Sequence, residues 1–220
     1  MSKNKLTRIY VVRHAQSEGN AGIIQKEKQE LGSPLTKMGI SQAQLLAENI
    51  KNINFEAIFS SDMLRTRQTA EILTLERKLA VQASNLIRER SFEHYLKKLN
   101  GKTEEKLREE MKKVFIKLNE KGKMQYKHSS QMESAEEGAL RLLSFIREAS
   151  LAFQGKNILV VAHGNIMRSL LVHLGFVKYD ELPEGTIENT GYFVLESDGV
   201  DFFVKEAFGI AKQQNTVRLF

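Results

Sequence analysis

The sequence contains no cysteine and no tryptophan among its 220 residues. Without cysteine, the chain forms no disulfide, uses no thiol nucleophile and binds no metal through thiolate ligands. Apolar runs such as Ile158 to Ala162 are too short to cross a bilayer, and the polar segment Met1 to Thr7 lacks the apolar stretch of a signal peptide. These absences favour a cytoplasmic protein that has no membrane partner.

The basic charge is concentrated in one segment. The formal net charge is +6, and Lys97 to Lys127 carries 11 Lys or Arg against 5 Glu, whereas the remaining chain has 22 of each sign. This segment fits a solvated amphipathic helix with Glu–Lys pairs such as Glu109 with Lys113, with a contribution from attraction of an anionic substrate. It lacks interleaved aromatics, so nucleic acid is not expected as a partner. We interpret residues 92–131 as a basic helical cap inserted in a single domain that spans residues 1–220.

Three short apolar runs, each typical of a buried strand, are followed closely by cationic or imidazole side chains. The predicted strands are Arg8 to Val12, Glu56 to Ser60 and Asn157 to Ala162, and the side chains beyond them are Arg13, His14, Arg65 and His163. A parallel α/β sheet binds its ligand at the carboxyl ends of its strands. We therefore expect these four side chains to meet in one crevice.

The remaining pattern predicts further elements around this sheet. The first helix begins after Thr36 and packs inward through Ile40, Ala43, Leu46, Ala47 and Ile50; the second runs from about Met63 to Leu75 with Asp62 as its N-cap. A third strand is predicted at Val81 to Ile87, and a cap helix from near Thr103 places Leu107, Met111, Val114, Phe115 and Leu118 on one stripe. Ser134 to Glu137 forms a capping box, Asn189 to Leu195 and Val200 to Ala207 form a hairpin, and the tail from Gly209 is expected to be loose.

The side chains predicted in the crevice suit a phosphoryl group. Arginine forks match phosphate oxygens, and the N-terminus of the helix after His163 attracts anions. A histidine among such cations is pushed toward its neutral, nucleophilic form. We interpret His14 as the residue that attacks phosphorus, while the arginines and His163 stabilise the transferring oxygens. Glu89, at the end of the third strand, is the candidate general acid and later the base for water. No step requires a metal, and no cofactor is expected.

The motifs that carry these residues resemble the histidine phosphatase superfamily, the phosphoglycerate-mutase-like clan. The signature reads Arg13-His14-Ala15-Gln16-Ser17-Glu18-Gly19-Asn20. Other matching stretches, in family order, are Pro34 to Gly39, Ser60 to Ala70, Leu86 to Arg90, Glu133-Ser134, Ala162 to Asn165 and Asn189-Thr190. The resemblance implies a three-layer α/β/α sandwich with a mostly parallel central sheet.

The resemblance also implies roles for individual residues. The implied catalytic residues are His14 as the phosphorylated nucleophile, Glu89 as the proton donor, and Arg13, Arg65 and His163 as the phosphate pocket. The implied substrate-binding residues are Arg13, Ser17, Asn20, Arg65, His163, Gly164 and Asn165. The histidines at positions 94, 128 and 173 are interpreted as noncatalytic, since their spacing gives no metal-ligand motif.

Some positions depart from the family pattern. Ala15 replaces the usual glycine after the nucleophile, and the Gly-x-x-Glu-Gly pattern of many small phosphatases is missing after Glu89, which makes Glu93 the fallback acid. Phe92 and Tyr95 either line the substrate pocket or pack in the core. Gly19 stands where mutases of the clan usually carry tryptophan, so phosphatase is favoured over mutase.

The sequence therefore predicts a metal-independent phosphomonoesterase that acts on a small phosphorylated substrate. Two alternatives stay open: a phosphoglycerate-type mutase, and a noncatalytic protein that binds a phospho-ligand or polyanion. Neither the physiological substrate nor the oligomeric state can be inferred from the sequence.

Overall fold

The computed structural model describes residues 6–23, 32–90 and 104–212. The strands are β1 (Thr7–Arg13), β2 (Phe55–Ser61), β3 (Val81–Ser84), β4 (Asn157–Ala162), β5 (Ile187–Ser197) and β6 (Phe202–Ile210). The helices are α1 (Lys37–Asn49), α2 (Leu64–Thr74), α3 (Glu104–Phe115), α4 (Glu120–Gln125), α5 (Ala135–Ala152) and α6 (Gly164–His173), with short 3-10 turns at Asn85–Ile87 and Tyr179–Glu181. The expectations for Phe92, Glu93, His94 and Tyr95 lie outside the described residues.

The strands form one six-stranded sheet in the order β3-β2-β4-β1-β5-β6. The first four strands are mutually parallel, whereas β5 runs antiparallel to β1 and β6 antiparallel to β5. In the central pair, Arg13 at the end of β1 is in register with Ala162 at the end of β4. The residues that follow these two strands therefore emerge side by side.

Both faces of the sheet are covered by helices. Alternate residues of β1 point to opposite sides: Ile9 and Val11 join a cluster with α5 and α6, while Tyr10 and Val12 join a cluster with α1 and α2. This is the arrangement expected for a strand that is apolar on both faces. The three-layer α/β/α sandwich and its mostly parallel sheet are confirmed.

The first helix packs inward through Ala43, Leu46 and Ile50 as predicted, and it differs from the prediction in its first turn. Thr36 is the N-cap and accepts a hydrogen bond from the Gly39 amide, as predicted. However, Ile40 is 41% exposed, and the inner face begins instead at Gly39. A Cβ at Gly39 would lie 2.0 Å from the Gln16 carbonyl oxygen, so only glycine permits this close approach of helix and loop.

The predicted N-cap of α2 was wrong. Met63 occupies the N-cap position and makes no side-chain capping bond. Asp62 instead accepts two hydrogen bonds from the Arg88 guanidinium, at 2.6 and 2.7 Å. A bidentate, charge-assisted pair with a residue distant in sequence replaces the local cap.

Smaller differences affect the ends of other elements. The third strand ends at Ser84, whose hydroxyl accepts from the Leu86 amide and opens a 3-10 turn. The last strand begins at Phe202 and continues to Ile210, so the expectation of a loose tail from Gly209 was wrong for its first two residues. The capping box at Ser134 and Glu137 is confirmed.

Helix α3 begins at Glu104, close to the predicted start. Phe115 packs against Tyr179 and Tyr126, with ring centroids 5.0 and 5.9 Å apart. Val114, which was expected on the same inner stripe, is 44% exposed. Val114 therefore does not belong to the inner face of this helix, and the expectation for the Leu107 side chain lies outside what the structure describes.

Candidate active site

Two histidines meet where β1 and β4 end. The His14 amide donates to the Ala162 carbonyl at 3.0 Å, which continues the pairing of the two strands by one residue. His163 is the next residue after Ala162, and the two imidazole centroids are 5.2 Å apart. Both side chains are buried, with 3% and 1% of their surface exposed. The predicted convergence of His14 and His163 is confirmed by the geometry.

Arg65 bridges the two imidazoles. It lies in the first turn of α2, and its Nε donates to His14 Nε2 at 3.2 Å, while one terminal nitrogen lies 3.2 Å from His163 Nδ1. A guanidinium can only donate, so each of these ring nitrogens must be an unprotonated acceptor. The other nitrogen of His14, Nδ1, lies 2.8 Å from the Ala15 carbonyl and therefore carries the proton. His14 thus presents an unprotonated Nε2 beside a guanidinium.

The environment keeps both histidines neutral. Burial lowers the pKa of His14 well below its usual value, and the positive charges of Arg65 and Arg13 lower it further. Burial also dominates the lowered pKa of His163, with added repulsion from Arg65. Neutral imidazole is the form that can act as a nucleophile.

Arg13 lies against the N-terminus of α6. A Cβ added at Gly164 would lie 3.2 Å from Arg13 Nε, so the glycine leaves space for the guanidinium. One terminal nitrogen of Arg13 donates to the Ile187 carbonyl of β5. The buried Nε of Arg13 and Nε2 of His163 have no hydrogen-bond partner within the described part of the chain. Both nitrogens are donors, because His163 accepts at Nδ1, and such donors suit the oxygens of an anion.

Glu89 caps the same helix. Its carboxylate accepts backbone N–H bonds from Asn165 at 2.9 Å, from Ile166 at 2.8 Å and from Arg90 at 2.9 Å. Burial raises the pKa of the Glu89 carboxyl, although these N–H bonds and the Arg90 charge act in the opposite direction. A carboxylate therefore lies at a helix N-terminus, where anions are stabilised.

These residues surround a cleft of about 310 Å³. Its lining contains the predicted residues Arg13, His14, Ser17, Asn20, Arg65, Glu89, Gly164 and Asn165. His163 lies behind this surface and contacts it through Arg65. The structure therefore brings the predicted site residues together, and His163 lies deeper than the others.

The loop that carries Ser17 and Asn20 is fixed by local bonds. The Asn20 side-chain oxygen lies 3.3 Å from the Ser17 amide and 3.1 Å from the Ser17 hydroxyl. The Gln16 carbonyl accepts from the Thr36 amide at 3.0 Å, next to the close contact with Gly39. The Pro34 to Gly39 motif thus anchors the loop that forms one wall of the cleft.

Several further residues that line the cleft were not predicted from the sequence. The additional lining residues are Gly19, Ser33, Arg168, Pro183, Glu184, Gly185 and Ile187. Arg168 is buried; it donates to the carbonyls of Leu182 and Tyr179 and lies over the Tyr179 ring, 3.9 Å from the centroid. The sequence does contain a signal for Arg168, because this arginine lies within the apolar stripe of α6. A charge on a buried helix face needs partners.

Asn189 holds the backbone of the nucleophile candidate. Its side-chain nitrogen donates to the His14 carbonyl at 3.0 Å. The next residue, Thr190, has a φ of 61°, a left-handed conformation that is uncommon for a β-branched residue. The Asn189-Thr190 motif therefore places β5 next to the end of β1.

Within residues 6–23, 32–90 and 104–212, no three His, Asp or Glu side chains are grouped so that they could hold a metal ion. Over the same residues, no helix combines the length and apolar character needed to cross a membrane.

Comparison with known proteins places this geometry in a family. Residues 9–208 match the family model of the histidine phosphatase superfamily, branch 1. A curated protein named putative phosphoserine phosphatase 2, from Hydrogenobacter thermophilus, is 32% identical over 198 residues, covering 88% of this chain and 91% of that protein. A probable phosphoglycerate mutase, GpmB of Proteus mirabilis, is 43% identical over 68 residues, which is 31% of each chain.

Solved structures show the same fold. Phosphoglycerate mutase from Bacillus anthracis superposes with a TM-score of 0.72 at 21% identity and covers 94% of each chain. Phosphoserine phosphatase from Entamoeba histolytica, solved with 3-phosphoglyceric acid, superposes with a TM-score of 0.69 at 22% identity, covering 92% of this chain and 96% of that one. The chain is thus an enzyme of branch 1 of the histidine phosphatase superfamily.

Proposed function

We propose that the protein is a metal-independent phosphomonoesterase that works through a phosphohistidine on His14. The observation that carries this proposal is the unprotonated Nε2 of His14, which lies 3.2 Å from the Arg65 guanidinium at the edge of a cationic cleft. A nitrogen lone pair next to fixed positive charge suits attack on a phosphoryl group.

In the first step, Arg65 Nε exchanges its hydrogen bond to His14 Nε2 for one to a phosphoryl oxygen. The freed lone pair of Nε2 then forms a bond to phosphorus as the bond to the ester oxygen breaks. Arg13 and Arg65 stabilise the charge on the phosphoryl oxygens. The leaving alkoxide takes a proton from the carboxyl group of Glu89, so the alcohol departs neutral.

In the second step, the Glu89 carboxylate takes a proton from water as the water oxygen attacks phosphorus. The bond between Nε2 and phosphorus breaks, inorganic phosphate leaves, and His14 returns to its neutral form. Each residue ends the cycle in the state in which it began.

The position of Glu89 suggests how it becomes an acid. Its carboxylate accepts backbone N–H bonds at the N-terminus of α6, where a phosphoryl oxygen would also be stabilised. A dianionic substrate raises the pKa of a neighbouring carboxyl, because two negative charges repel. Substrate binding therefore favours the protonated Glu89 that the first step needs.

The experiment is hydrolysis of p-nitrophenyl phosphate with EDTA present, from about pH 5 to about pH 8. We expect turnover by the wild type and a loss of about a thousandfold or more in His14→Ala. His173→Ala is the matched control, because this exposed histidine ends the helix that follows His163. Equal activity of His14→Ala and wild type would overturn the proposal.

A phosphoglycerate-type mutase is the second candidate, and the local match to GpmB favours it. A mutase returns the phosphoryl group to a second substrate hydroxyl instead of water. Incubation of 3-phosphoglycerate with a bisphosphoglycerate primer distinguishes the two: the phosphatase releases inorganic phosphate, and the mutase yields 2-phosphoglycerate.

A further inference from the structure

A second cavity lies beside the catalytic cleft. Its volume is about 420 Å³, and it is bounded by α3, α4 and the segment that follows α6. We call it the side chamber; its apolar and aromatic lining consists of Met111, Phe115, Tyr126, Met132, Tyr179 and Pro183. The other lining residues of the chamber are charged: Arg90, Lys112, Lys123, Arg168, Asp180 and Glu184. The chamber still differs from the catalytic cleft, whose described lining has only Pro183 and Ile187 as apolar side chains.

Two cations of the side chamber are already partnered within the protein. Lys123 is buried and forms an ion pair with Asp180. Arg168 donates to the Leu182 and Tyr179 carbonyls and lies over the Tyr179 ring. Two further cations line the chamber: Arg90 is buried and donates to the Glu133 carbonyl, and Lys112 is exposed to solvent. The aromatic and thioether side chains are therefore the surface that a neutral part of a ligand can contact.

The chamber and the cleft are adjacent. Arg168, Pro183 and Glu184 line both of them, so the two spaces share an edge. A ligand whose phosphoryl group lies at His14 therefore needs only to pass this edge to place its other end in the chamber. Specific pockets commonly combine such an apolar volume with a few polar groups that fix orientation.

We propose that the side chamber binds the alcohol part of the substrate, and that the preferred substrates are phosphomonoesters of alcohols with an aromatic or extended apolar body. This inference rests on the proposed function, because the phosphoryl end of the ligand is placed by the catalytic cleft. It differs from the three-carbon acid esters named for the relatives, which present little apolar surface to bury.

The test measures binding of non-hydrolysable phosphonates to the whole protein by calorimetry. Phenylalkyl phosphonates of increasing linker length are each compared with the alkyl phosphonate that lacks the phenyl group. At the linker length that reaches the chamber, we expect the phenyl group to tighten binding by about tenfold or more. Absence of this preference at every length would overturn the inference.

Variants of α3 test whether the phenyl group binds in the side chamber. Met111 lines the chamber, whereas Val114, on the same helix, is exposed and lies outside it. Met111→Asp is expected to abolish the phenyl preference, Met111→Ala to reduce it, and Val114→Asp to retain it. Affinity for the alkyl phosphonate should stay the same in every variant, which shows that the phosphate pocket remains folded. A loss in Val114→Asp as large as in Met111→Asp would contradict the proposal.

Because calorimetry needs no turnover, failures of the two proposals are distinguishable. A phenyl preference without hydrolysis of any ester overturns the proposed phosphatase activity and leaves the chamber as a ligand site. Hydrolysis that requires His14, without a phenyl preference, overturns the proposed role of the side chamber and supports the proposed phosphatase activity.

Discussion

The floor of the cleft and the outer wall of the side chamber are built in different ways. The floor consists of Arg13 at the end of β1, His14 and His163 directly after β1 and β4, and Arg65 in the first turn of α2. The outer wall of the side chamber consists of the segment from α3 to Tyr126 and the 3-10 turn Tyr179–Glu181. The imidazoles of the floor are buried and its guanidiniums half-buried, whereas the charged side chains described on α3 and α4 are mostly exposed or paired.

This difference separates chemistry from substrate choice. In the floor, desolvation and neighbouring charge change the protonation of His14 and His163, so these residues can carry a reaction. In the outer wall, exposed charges are screened by solvent and affect reactivity little. We therefore expect substitutions in the floor to alter kcat, and substitutions in the wall to alter which ester is preferred.

The largest difference should come from two neighbouring arginines of α2. Arg65→Lys keeps a positive charge but removes the fork that contacts both imidazoles, so kcat should fall by about a hundredfold to a thousandfold. Arg67→Lys is the control, because Arg67 is exposed and pairs only with Glu71 among the ion pairs of the described residues. Steady-state kinetics with p-nitrophenyl phosphate measure both. Similar kcat values for the two variants would contradict the claim that residues of the floor, unlike surface residues, control kcat.

The next effect depends on the leaving group. Glu89→Gln cannot donate a carboxyl proton, so hydrolysis of an alkyl phosphate should slow by about a hundredfold. The first step with p-nitrophenyl phosphate, measured as a burst of nitrophenolate, should slow much less, because nitrophenolate leaves without protonation. Hydrolysis of the phosphohistidine should slow equally for both esters, because Glu89 is also the base for water.

Glu93→Gln provides the matched comparison for Glu89→Gln. It should leave both rates unchanged if Glu89 is the acid. If the alkyl-specific loss occurs in Glu93→Gln instead, the assignment of Glu89 is wrong and Glu93 takes its role.

A smaller effect concerns the stability of the floor toward acid. The pKa of His14 is lowered well below the usual 6.5, mainly by burial, so below about pH 6.5 the unfolded chain binds a proton that the folded chain does not. The free energy of unfolding should therefore fall as the pH drops below this value, by up to about 1.4 kcal/mol per pH unit for this histidine.

Urea unfolding between about pH 5 and about pH 7 measures this linkage. His14→Gln should reduce the slope of stability against pH, while His173→Gln, at an exposed site, should leave it unchanged. An unchanged slope in His14→Gln would show that His14 is not held neutral by the fold.

The smallest effect is expected in the basic outer wall. Lys113 and Lys117 are exposed and lie outside the cleft lining. Replacing both with Gln should change kcat/KM for a dianionic ester by less than about twofold at physiological salt, because exposed charges are screened. Lys51→Gln, on α1, controls for loss of charge elsewhere. A large, salt-dependent loss in the double variant alone would indicate that the wall attracts substrate.

The floor was predictable from the sequence because its residues lie at or shortly after the ends of recognisable strands. Once β1 and β4 pair in parallel, the positions of His14 and His163 follow from one register. The hydrogen-bond and ion-pair partners of individual side chains were less predictable. Asp62 is a residue type that commonly caps helices, yet its side chain pairs with Arg88. Only the tertiary structure brings these two residues together.

The role of Arg168, on the edge shared by the cleft and the side chamber, was not predictable from the sequence. Arg168 occurs in an apolar helical stripe, and its partners, the carbonyls of Tyr179 and Leu182, belong to a turn with no strong sequence pattern. Likewise, Ile40 was expected to face inward on its periodicity, but it is exposed, and Gly39 is the residue of the first turn that contacts the Gln16 carbonyl. Close approaches of this kind depend on elements that are separate in the chain.

The most direct test of the central claim is detection of the phosphorylated intermediate. The protein is mixed with a phosphomonoester, quenched within the first turnover and digested, and the peptide that contains His14 is examined by mass spectrometry under alkaline conditions. The account predicts a phosphoryl group on His14 that survives alkali and is lost in acid, and that is absent from His14→Ala. Hydrolysis by the wild type without any phosphoryl group on His14 would contradict it.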